Sequence, residues 1–499
     1  MNYQSLFYQL LPEAVLVITA LVLLGVAVTR ESKTGQPVSC GLAATIAVLG
    51  VLLAGATLAC GPGDLESGSN LISMDPMAMI FKGVVLGLGL LAMLLPPARK
   101  EIANPGEFFA LMLFALTGLV LTVGSNHLLF IFVALELASL SLYLLAGFSR
   151  TARSAEASLK YFLFGAVSAA FTLFGLSFLY GFSHSDTLQG VASAVAANPT
   201  STLGMVGLLM VVVGLGFKMA AAPFHYWAPD VYQGAPQTSV VLIAGASKIV
   251  GMVLLVRFLM IGFPAAAGAA SMGGMVPGWS VWIAILAAVS MVFGNILALA
   301  QKSVRRLLAY SAVANTGYLL VGLSAHGAAS SGAALFYVVV YALSTLGALA
   351  VTAVVERDQG DDSVSAFAGL VHRSPLLAVS LLIFMTSLAG IPPLAGFAGK
   401  FILFGSAMSD SASGGEPGLT WLVGLAVVMS AISLYYYLSV LKQAFVLGDE
   451  NDLGKTSKLT LGHVLAVTIP AVAVVALGLF PALLLEPIKA AVLCTLGMH

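Results

Sequence analysis

Residues 214–236 read Gly-Leu-Gly-Phe-Lys-Met-Ala-Ala-Ala-Pro-Phe-His-Tyr-Trp-Ala-Pro-Asp-Val-Tyr-Gln-Gly-Ala-Pro, and they follow an apolar run that begins near Thr202. The stretch puts Lys218 inside a long apolar segment and interrupts that segment five residues later, at Pro223. An ammonium group in hydrocarbon is costly, and so is backbone that leaves the helical hydrogen-bond pattern. Both are tolerated where protein and water line a polar path, so the stretch predicts an interrupted membrane helix beside such a path.

The composition of the whole chain is that of an integral membrane protein. It is 60% apolar and 8% charged, whereas a soluble domain carries about 25% charged residues. Apolar runs of about 18 residues or more recur from Leu11 to Phe480, so we predict an all-α protein with many transmembrane helices. The formal net charge is zero, which gives no sign of a nucleic-acid partner. The three cysteines lie far apart without metal-ligand spacing.

The apolar runs predict fourteen transmembrane spans, of which the seventh and twelfth are broken. Their bounds are 11–29, 39–60, 76–97, 108–124, 127–148, 156–182, 203–234, 237–262, 279–299, 306–323, 331–355, 376–410, 418–441 and 461–482. The longest connections, near 183–202, 263–278 and 356–375, are predicted to be short loops that are polar or rich in Ala and Gly. The chain is expected to end soon after the last span, without a C-terminal extension.

The basic residues predict the orientation of these spans. The even-numbered loops hold no Lys or Arg. The odd-numbered loops and their edges hold Arg30, Lys33, Arg99, Lys100, Arg150, Arg153, Lys302, Arg305, Arg306, Arg357, Arg373, Lys442, Lys455 and Lys458. Because cytoplasmic loops carry an excess of Lys and Arg, the odd loops are predicted to be cytoplasmic and both termini to be outside.

A second interruption predicts an internal repeat. Residues 387–401 read Ser-Leu-Ala-Gly-Ile-Pro-Pro-Leu-Ala-Gly-Phe-Ala-Gly-Lys-Phe, with the break at Pro392 and Pro393. If helices 4–8 and 9–13 are two sets of five, each break falls in the fourth helix, and the sets have opposite orientation. Paired broken helices in inverted halves mark the pathway in secondary transporters. The predicted segments are 1–107, an N-terminal three-helix segment; 108–262, the first repeat; 279–443, the second repeat; and 461–499, the C-terminal helix and tail.

Few ionisable side chains lie near the middle of the predicted membrane. They are Glu136, Lys218, Lys248 and Lys400. Desolvation favours the neutral form of a lysine, and a nearby carboxylate favours the charged form, so a movable Glu–Lys pair can act as a proton switch. Intramembrane ionisable groups are functional by default, and buried ion pairs contribute little net stability. These four residues are therefore the primary candidates for a proton path.

Other charged or titratable residues are secondary candidates. Lys160 lies about one turn into helix 6 and can either support the path or reach the membrane surface. Lys82 and Arg257 lie nearer helix ends, where a structural or surface-reaching role is expected. His225 directly follows the first break, and it can relay protons or hydrogen-bond the interrupted backbone. The sequence leaves these alternatives open.

The sequence lacks the motifs of an electron carrier. It has no dinucleotide fingerprint followed by an acidic residue, no phosphate loop, no cysteine cluster for iron–sulfur, and no facing histidine pairs deep in helices for haem. We therefore expect no cofactor and no metal in this chain.

Four motifs carry a specific resemblance, and together they extend over most of the chain. They are residues 135–140 (Leu-Glu-Leu-Ala-Ser-Leu), 218–236 (from Lys218 to Pro236), 301–311 (Gln-Lys-Ser-Val-Arg-Arg-Leu-Leu-Ala-Tyr-Ser) and 390–400 (Gly-Ile-Pro-Pro-Leu-Ala-Gly-Phe-Ala-Gly-Lys). In order and spacing they resemble the antiporter-like membrane subunits of respiratory complex I. Within that family Lys400 resembles subunits L and N, whereas subunit M carries a glutamate there. The expected lack of a C-terminal lateral helix disfavours L, and residues 231–236 resemble N.

The resemblance implies roles for the candidate residues. Glu136 and Lys218 would be the paired acid and base of the cytoplasmic half-channel. Lys248 would be the central connector, Lys400 the group that releases protons outward, and Lys160 a supporting lysine. The resemblance also implies a proton-translocating subunit in the cell inner membrane, with subunit M and small membrane subunits as partners. FMN, iron–sulfur clusters and quinone would be held by partner subunits, where NADH is oxidised.

Other functions remain open from the sequence. A subunit of a multi-subunit Na⁺(K⁺)/H⁺ antiporter belongs to the same superfamily, but a Na⁺ site favours carboxylates and carbonyls close together, and only one mid-membrane acid is present. A membrane-bound hydrogenase subunit is a second alternative. A subunit that itself binds and reduces quinone is a third, and the absence of redox motifs counts against it.

Overall fold

The computed structural model describes residues 3–60, 71–97, 102–272, 274–411, 418–446 and 457–497. Three basic residues that the orientation prediction used, Arg99, Lys100 and Lys455, lie outside the described residues. The described residues form helices joined by short connections and a few isolated β-bridges.

The helices are named here in chain order. Up to Gly262 they are α1 (Tyr3–Gln9), α2 (Leu11–Thr34), α3 (Cys40–Ala59), α4 (Pro76–Leu94), α5 (Pro105–Val123), α6 (Leu128–Ala146), α7 (Ala152–Ser183), α8 (Leu188–Ala197), α9 (Thr202–Met219), α10 (Ala228–Gly234), α11 (Gln237–Ala244), α12 (Ala246–Val256) and a π-helical turn (Arg257–Gly262). From Pro264 they are a 3₁₀ turn (Pro264–Ala266), α13 (Trp279–Leu299), α14 (Val304–Ser324), α15 (Ala328–Gln359), a 3₁₀ turn (Val364–Phe367), α16 (Leu370–Arg373), α17 (Pro375–Ala389), α18 (Ala395–Ser411), α19 (Thr420–Phe445), α20 (Leu461–Leu479) and α21 (Ala482–Thr495).

The predicted membrane helices are present. Among the described residues, 13 helices are long and apolar enough to cross a membrane. The predicted twelfth span appears as two shorter helices, α17 and α18, which flank residues 390–394. The seventh span is likewise interrupted between α9 and α10, at residues 220–227. The all-α membrane fold is therefore confirmed, while the count of fourteen stays a prediction.

Two of the segments predicted to lack helices contain one. The segment predicted as a loop at 183–202 contains α8, and the predicted C-terminal tail contains α21. Helix α1 was also not predicted. These helices have 7, 10 and 14 residues, so none provides the apolar run of about 18 residues that identifies a membrane span.

The helices group into two compact units. The first comprises Met1–Leu215, Gly234–Phe263 and Gly497–His499, and the second comprises Gly216–Gln233 and Pro264–Leu496. In the first unit α5 packs against α2, α4 and α6, and α12 packs against α4 and α5. In the second unit α15 is mostly buried and packs against α14, α17, α18 and α20.

One close helix contact recurs in both units. In the first, Gly118 of α5 lies against the backbone of Ala138 in α6, so closely that a Cβ atom at Gly118 would clash. In the second, Gly294 of α13 lies in the same way against the backbone of Ala314 in α14. In the predicted repeat these helix pairs occupy matching places, while the inverted repeat itself stays a prediction.

Candidate functional site

The first interruption is held together by neutral side chains. The Trp227 indole N–H donates to the carbonyl of Phe217 at 3.1 Å, and the Thr316 hydroxyl donates to the carbonyl of Met219 at 2.7 Å. The backbone N–H of Ala222 donates to the Ser290 hydroxyl at 2.9 Å. Backbone groups that lose their helical partners need others when they are buried. These contacts supply them, so the break is a built feature rather than a frayed helix end.

Lys218 occupies the last turn of α9 and is buried. A helix C-terminus carries a partial negative charge, which favours an ammonium group there. His225 is also buried, and its ring stacks on Tyr226 with a centroid distance of 4.7 Å. The Nδ1 atom of His225 has no hydrogen-bond partner among the described residues. The ring therefore makes no bond to the interrupted backbone through that atom, and the relay role stays open.

The second interruption is held by Lys400 itself. Helix α17 ends at Ala389, and Gly390 follows with a φ of 89°, a left-handed conformation that glycine adopts readily. The Lys400 Nζ atom donates to the carbonyls of Leu388 at 3.0 Å and Ala389 at 3.2 Å, and to the Ser430 hydroxyl at 2.9 Å. An ammonium group has three N–H donors. Each can be used by one of these acceptors.

Backbone N–H groups donate to a serine hydroxyl at both interruptions. The interruptions differ in what donates to their carbonyls, which is neutral side chains at the first and the Lys400 ammonium group at the second. The last carbonyls of α17 are the negative end of a helix dipole, and the Nζ atom also lies 4.9 Å from the centre of the Tyr318 ring. This arrangement stabilises a charged lysine without a carboxylate.

A cavity of about 320 Å³ adjoins Lys400. Its wall includes Lys400 and Ser430 together with apolar side chains of α18 and α19. The apolar lining residues include Phe397, Phe401, Val427 and Leu434. A water molecule occupies about 30 Å³ in the liquid, so the cavity is large enough for several waters, although polar groups to hold them lie only at the Lys400 end.

A buried polar network that sequence analysis missed lies in the same unit. The Tyr436 hydroxyl donates to Asn295 Oδ1 at 3.0 Å, and Asn295 Nδ2 donates to the Tyr318 hydroxyl at 3.2 Å. A second asparagine, Asn315, accepts from the Tyr337 hydroxyl at 2.6 Å. The available signal was an asparagine in each of two apolar helices, which needs a partner when buried.

The remaining candidates belong to the first unit. Glu136 is half-buried on α6, and Lys248 is buried on α12, two residues after that helix begins. The Lys160 Nζ atom lies 2.6 Å from Glu156 Oε1, one turn earlier on α7, and the Lys160 side chain is 38% exposed. Lys160 therefore reaches the protein surface. The pairing of Glu136 with Lys218 stays a prediction, as do the site roles of all six candidate residues.

Two ion pairs occupy the positions where structural or surface-reaching charges were expected. Lys82 Nζ lies 2.6 Å from Glu13 Oε1, and both side chains are buried. Arg257 donates to Asp75 at 2.8 Å, to Asn126 at 3.1 Å and to a backbone carbonyl. Lys82 and Arg257 are fully buried, so neither reaches the surface of the protein, and the structural interpretation is favoured. Sequence analysis did not predict the burial of Glu13.

Comparison with known proteins identifies relatives over nearly the whole chain. The family model for the transmembrane region of NADH:quinone oxidoreductase and Mrp antiporters matches residues 125–446. An "NADH-quinone oxidoreductase subunit N 2" of Acidobacterium capsulatum is 42% identical over 97% of this chain and 99% of its own length. An "F(420)H(2) dehydrogenase subunit N" of Methanosarcina mazei is 35% identical over 96% of each chain.

A solved structure agrees with these relatives. One chain of respiratory complex I from Thermus thermophilus with bound aureothin is 33% identical, with a TM-score of 0.77. The alignment covers 95% of this chain and 98% of that one. Both the sequence and the fold are therefore similar to a membrane subunit of that complex along almost their full lengths.

Proposed function

This chain belongs to the NADH-quinone oxidoreductase subunit N family, and from this premise we propose that its interrupted helices carry the proton path of a complex I membrane arm. The observation that carries the proposal is the set of three acceptors around the Lys400 ammonium group, which are the carbonyls of Leu388 and Ala389 and the hydroxyl of Ser430. We call this set the cage. A buried ammonium group that is held by the free carbonyls of a broken helix is a proton site whose surroundings change when that helix moves.

In the proposed path Glu136 and Lys218 form the acid–base pair on the cytoplasmic side. A change that arrives along the membrane arm moves the two side chains of this pair apart. Moving the carboxylate away from the lysine then favours loss of the lysine's proton. The proton passes to Lys248, which is the central connector. Lys160 supports the entry side, and His225 relays protons at the first break.

Lys400 is the proposed release group. While its three N–H groups donate to Leu388, Ala389 and Ser430, the charged form is stabilised. Release of the proton follows when α17 and α18 shift and the cage no longer fits the ammonium group. The adjacent cavity gives the side chain room to leave the cage.

The redox chemistry of the complex belongs to partner subunits. We propose that these hold FMN, the iron–sulfur clusters and quinone, and that this chain packs against subunit M and small membrane subunits. The proposed location is the cell inner membrane with both termini on the non-cytoplasmic side, on the distribution of Lys and Arg. Residues 108–262 and 279–443 are the proposed inverted repeats, between the N-terminal segment 1–107 and the C-terminal segment 461–499.

The test is proton pumping by a Lys400→Met variant in assembled complex. We expect NADH-driven acidification of inverted vesicles to fall at least about tenfold, because the variant removes the titratable group together with hydrogen bonds that contribute about 1.5–3 kcal/mol each, and about 1.4 kcal/mol corresponds to a tenfold change in rate. Lys442→Met is the matched control, since Lys442 lies exposed in the last turn of α19. Full pumping by Lys400→Met in a complex with normal subunit content would refute the assignment.

A further inference from the structure

Helix α10, the part of the broken seventh helix that follows the interruption, cannot hold its own position. It has 7 residues, Ala228–Gly234, and isolated helices shorter than about 12–15 residues are marginal in water. What fixes it must be contacts from other elements. In the second unit those contacts come from Arg305 and Arg306, at the start of α14, and from Asp362, which accepts from the Gln233 side chain at 3.4 Å.

Arg305 makes the stronger of the two arginine contacts with α10. Its Nε atom donates to the carbonyl of Tyr232, and its Nη1 atom donates to both oxygens of Glu356 at 3.2 Å. Arg305 is 3% exposed. Removing one partner of a buried arginine strongly destabilises a protein, because the buried charge is left uncompensated. The contact between Arg305 and α10 is therefore not readily opened.

The next residue makes a weaker contact with the same helix. Arg306 Nη1 donates to Asp230 Oδ1 at 2.7 Å, and its Nε donates to Gln301 at 3.2 Å. The side chains of Arg306 and Asp230 are 30% and 28% exposed. Solvent screening reduces such a pair to about 0.2–1 kcal/mol. Helix α10 is thus held firmly at Tyr232 and, two residues earlier, by a contact at Asp230 that opens more easily.

Trp227 connects α10 to the end of α9 that carries Lys218. Trp227 immediately precedes α10, and its indole N–H holds the carbonyl of Phe217, the residue before Lys218. The indole ring also packs on the Phe217 ring with a centroid distance of 5.3 Å. The second unit therefore contains one continuous connection from Arg306 through Asp230, α10 and Trp227 to the end of α9.

We infer that Arg306 and Asp230 are positioning residues for proton transfer, forming a releasable contact that sets how closely α10 holds the Lys218 end of α9. The functional consequence rests on the proposed role of Lys218, whereas the mechanical connection does not. When the pair opens, α10 turns about the Arg305 attachment and the end of α9 loosens with it. The pair lies on the face predicted to be cytoplasmic, where Lys302 is exposed and Gln301 and Arg306 are partly exposed.

The experiment measures thiol labelling in resting assembled complex, in a chain whose three native cysteines are replaced by serine. Val231→Cys in α10 and Met219→Cys at the end of α9 are the probes, because both native side chains are fully buried. We expect Arg306→Gln and Asp230→Asn to raise the N-ethylmaleimide labelling rate at both probes by about 1.4- to 5-fold, the factor that corresponds to an exposed ion pair. The swap of Arg306→Asp with Asp230→Arg should restore the native rates.

Controls separate this result from general loosening. Ala444→Cys, buried in α19, should label equally slowly in all backgrounds. Trp227→Phe alone should raise labelling at Met219→Cys, because it releases the carbonyl of Phe217. Adding Arg306→Gln should then raise labelling at Val231→Cys without a further rise at Met219→Cys. Unchanged labelling, a parallel rise at Ala444→Cys, or failure of the charge swap would overturn the mechanical connection.

The proton-to-electron ratio then tests the positioning role. It should fall in Arg306→Gln and recover in the charge swap. A normal ratio alongside altered labelling would overturn the positioning role. Labelling is measured without turnover, so failure of the proposed proton path, seen as full pumping by Lys400→Met, is a separate result.

Discussion

The Nζ atom of Lys400 lies 2.9 Å from the hydroxyl oxygen of Ser430, on the neighbouring helix α19. The other two acceptors of this ammonium group are backbone carbonyls at the end of α17, which no side-chain substitution removes. Ser430 is therefore the point at which the cage can be altered while its helices stay intact. Because hydrogen bonds to charged groups contribute about 1.5–3 kcal/mol, this single contact carries enough energy to affect a transfer step.

Replacement of Ser430 by alanine should impair proton pumping without affecting assembly. We expect Ser430→Ala to lower NADH-driven pumping by about tenfold, because the ammonium group loses one of its three acceptors. Ser430→Thr keeps the hydroxyl and should retain most of the activity. The measurement is the initial rate of vesicle acidification, normalised to assembled complex.

Ser433→Ala provides the matched control on the same helix. The Ser433 hydroxyl donates to the carbonyl of Ser430 within α19, and in the part of the chain that the structure describes it is not among the hydrogen-bond partners of Lys400. Its removal should change pumping less than about twofold, since neutral local hydrogen bonds contribute about 1 kcal/mol or less. Equal losses in Ser430→Ala and Ser433→Ala would show that the cage hydroxyl has no special role.

Trp227→Phe should weaken the first interruption. The variant keeps an aromatic ring against Phe217 but leaves the carbonyl of that residue without the indole donor, which costs about 1–3 kcal/mol when the group is buried. We expect a lower temperature of subunit dissociation and reduced pumping. Trp421→Phe is the control, because the Trp421 indole makes the same kind of bond to the carbonyl of Ala270, far from the break in sequence. Retained pumping in Trp227→Phe would contradict a functional role for this bond.

The sequence predicted the interruptions but not their chemistry. Prolines and glycines inside apolar runs locate both breaks to within a few residues, because proline cannot continue a helix. The partner of Lys400 could not be found in this way, since Ser430 is one of many serines and lies 30 residues later in the chain. The positions of α8 and α21 were also inaccessible, because helices of 10 and 14 residues provide no apolar run of membrane-spanning length.

Sequence analysis identified Lys82 as a charge near a helix end but did not predict that it is buried against a carboxylate. Its distance from the middle of the predicted span indicated a structural or surface-reaching charge, whereas Glu13, 69 residues earlier, meets it inside the first unit. A carboxylate near the start of a predicted helix gives no sign of burial unless the helix against which it packs is known.

The pair of Lys82 and Glu13 should contribute to stability rather than to transport. Breaking a buried pair by removing one partner costs about 3–5 kcal/mol, while replacing both partners by apolar residues is often neutral or stabilising. We therefore expect Lys82→Met alone to reduce the yield of assembled complex, and Lys82→Met with Glu13→Leu to restore it. Yield is measured by quantifying the subunits in isolated membranes. A double variant that assembles normally but pumps poorly would show that this pair takes part in proton transfer.

The network around Asn295 should act as a frame for Tyr318 rather than as a proton wire. Asn295 accepts from the Tyr436 hydroxyl and donates to the Tyr318 hydroxyl, and a carboxamide does not readily exchange a proton between its oxygen and nitrogen. Tyr436→Phe should therefore lower the thermal stability of the complex, by about 1 kcal/mol for one lost hydrogen bond, and leave pumping within about twofold of normal. Asn295→Leu should be more harmful, because it leaves two buried hydroxyl groups without their partner and disturbs the ring beside Lys400. Pumping and stability measured on both variants separate the alternatives: a relay through these hydroxyls requires Tyr436→Phe to abolish pumping, whereas a frame requires the loss to appear only when Asn295 is replaced.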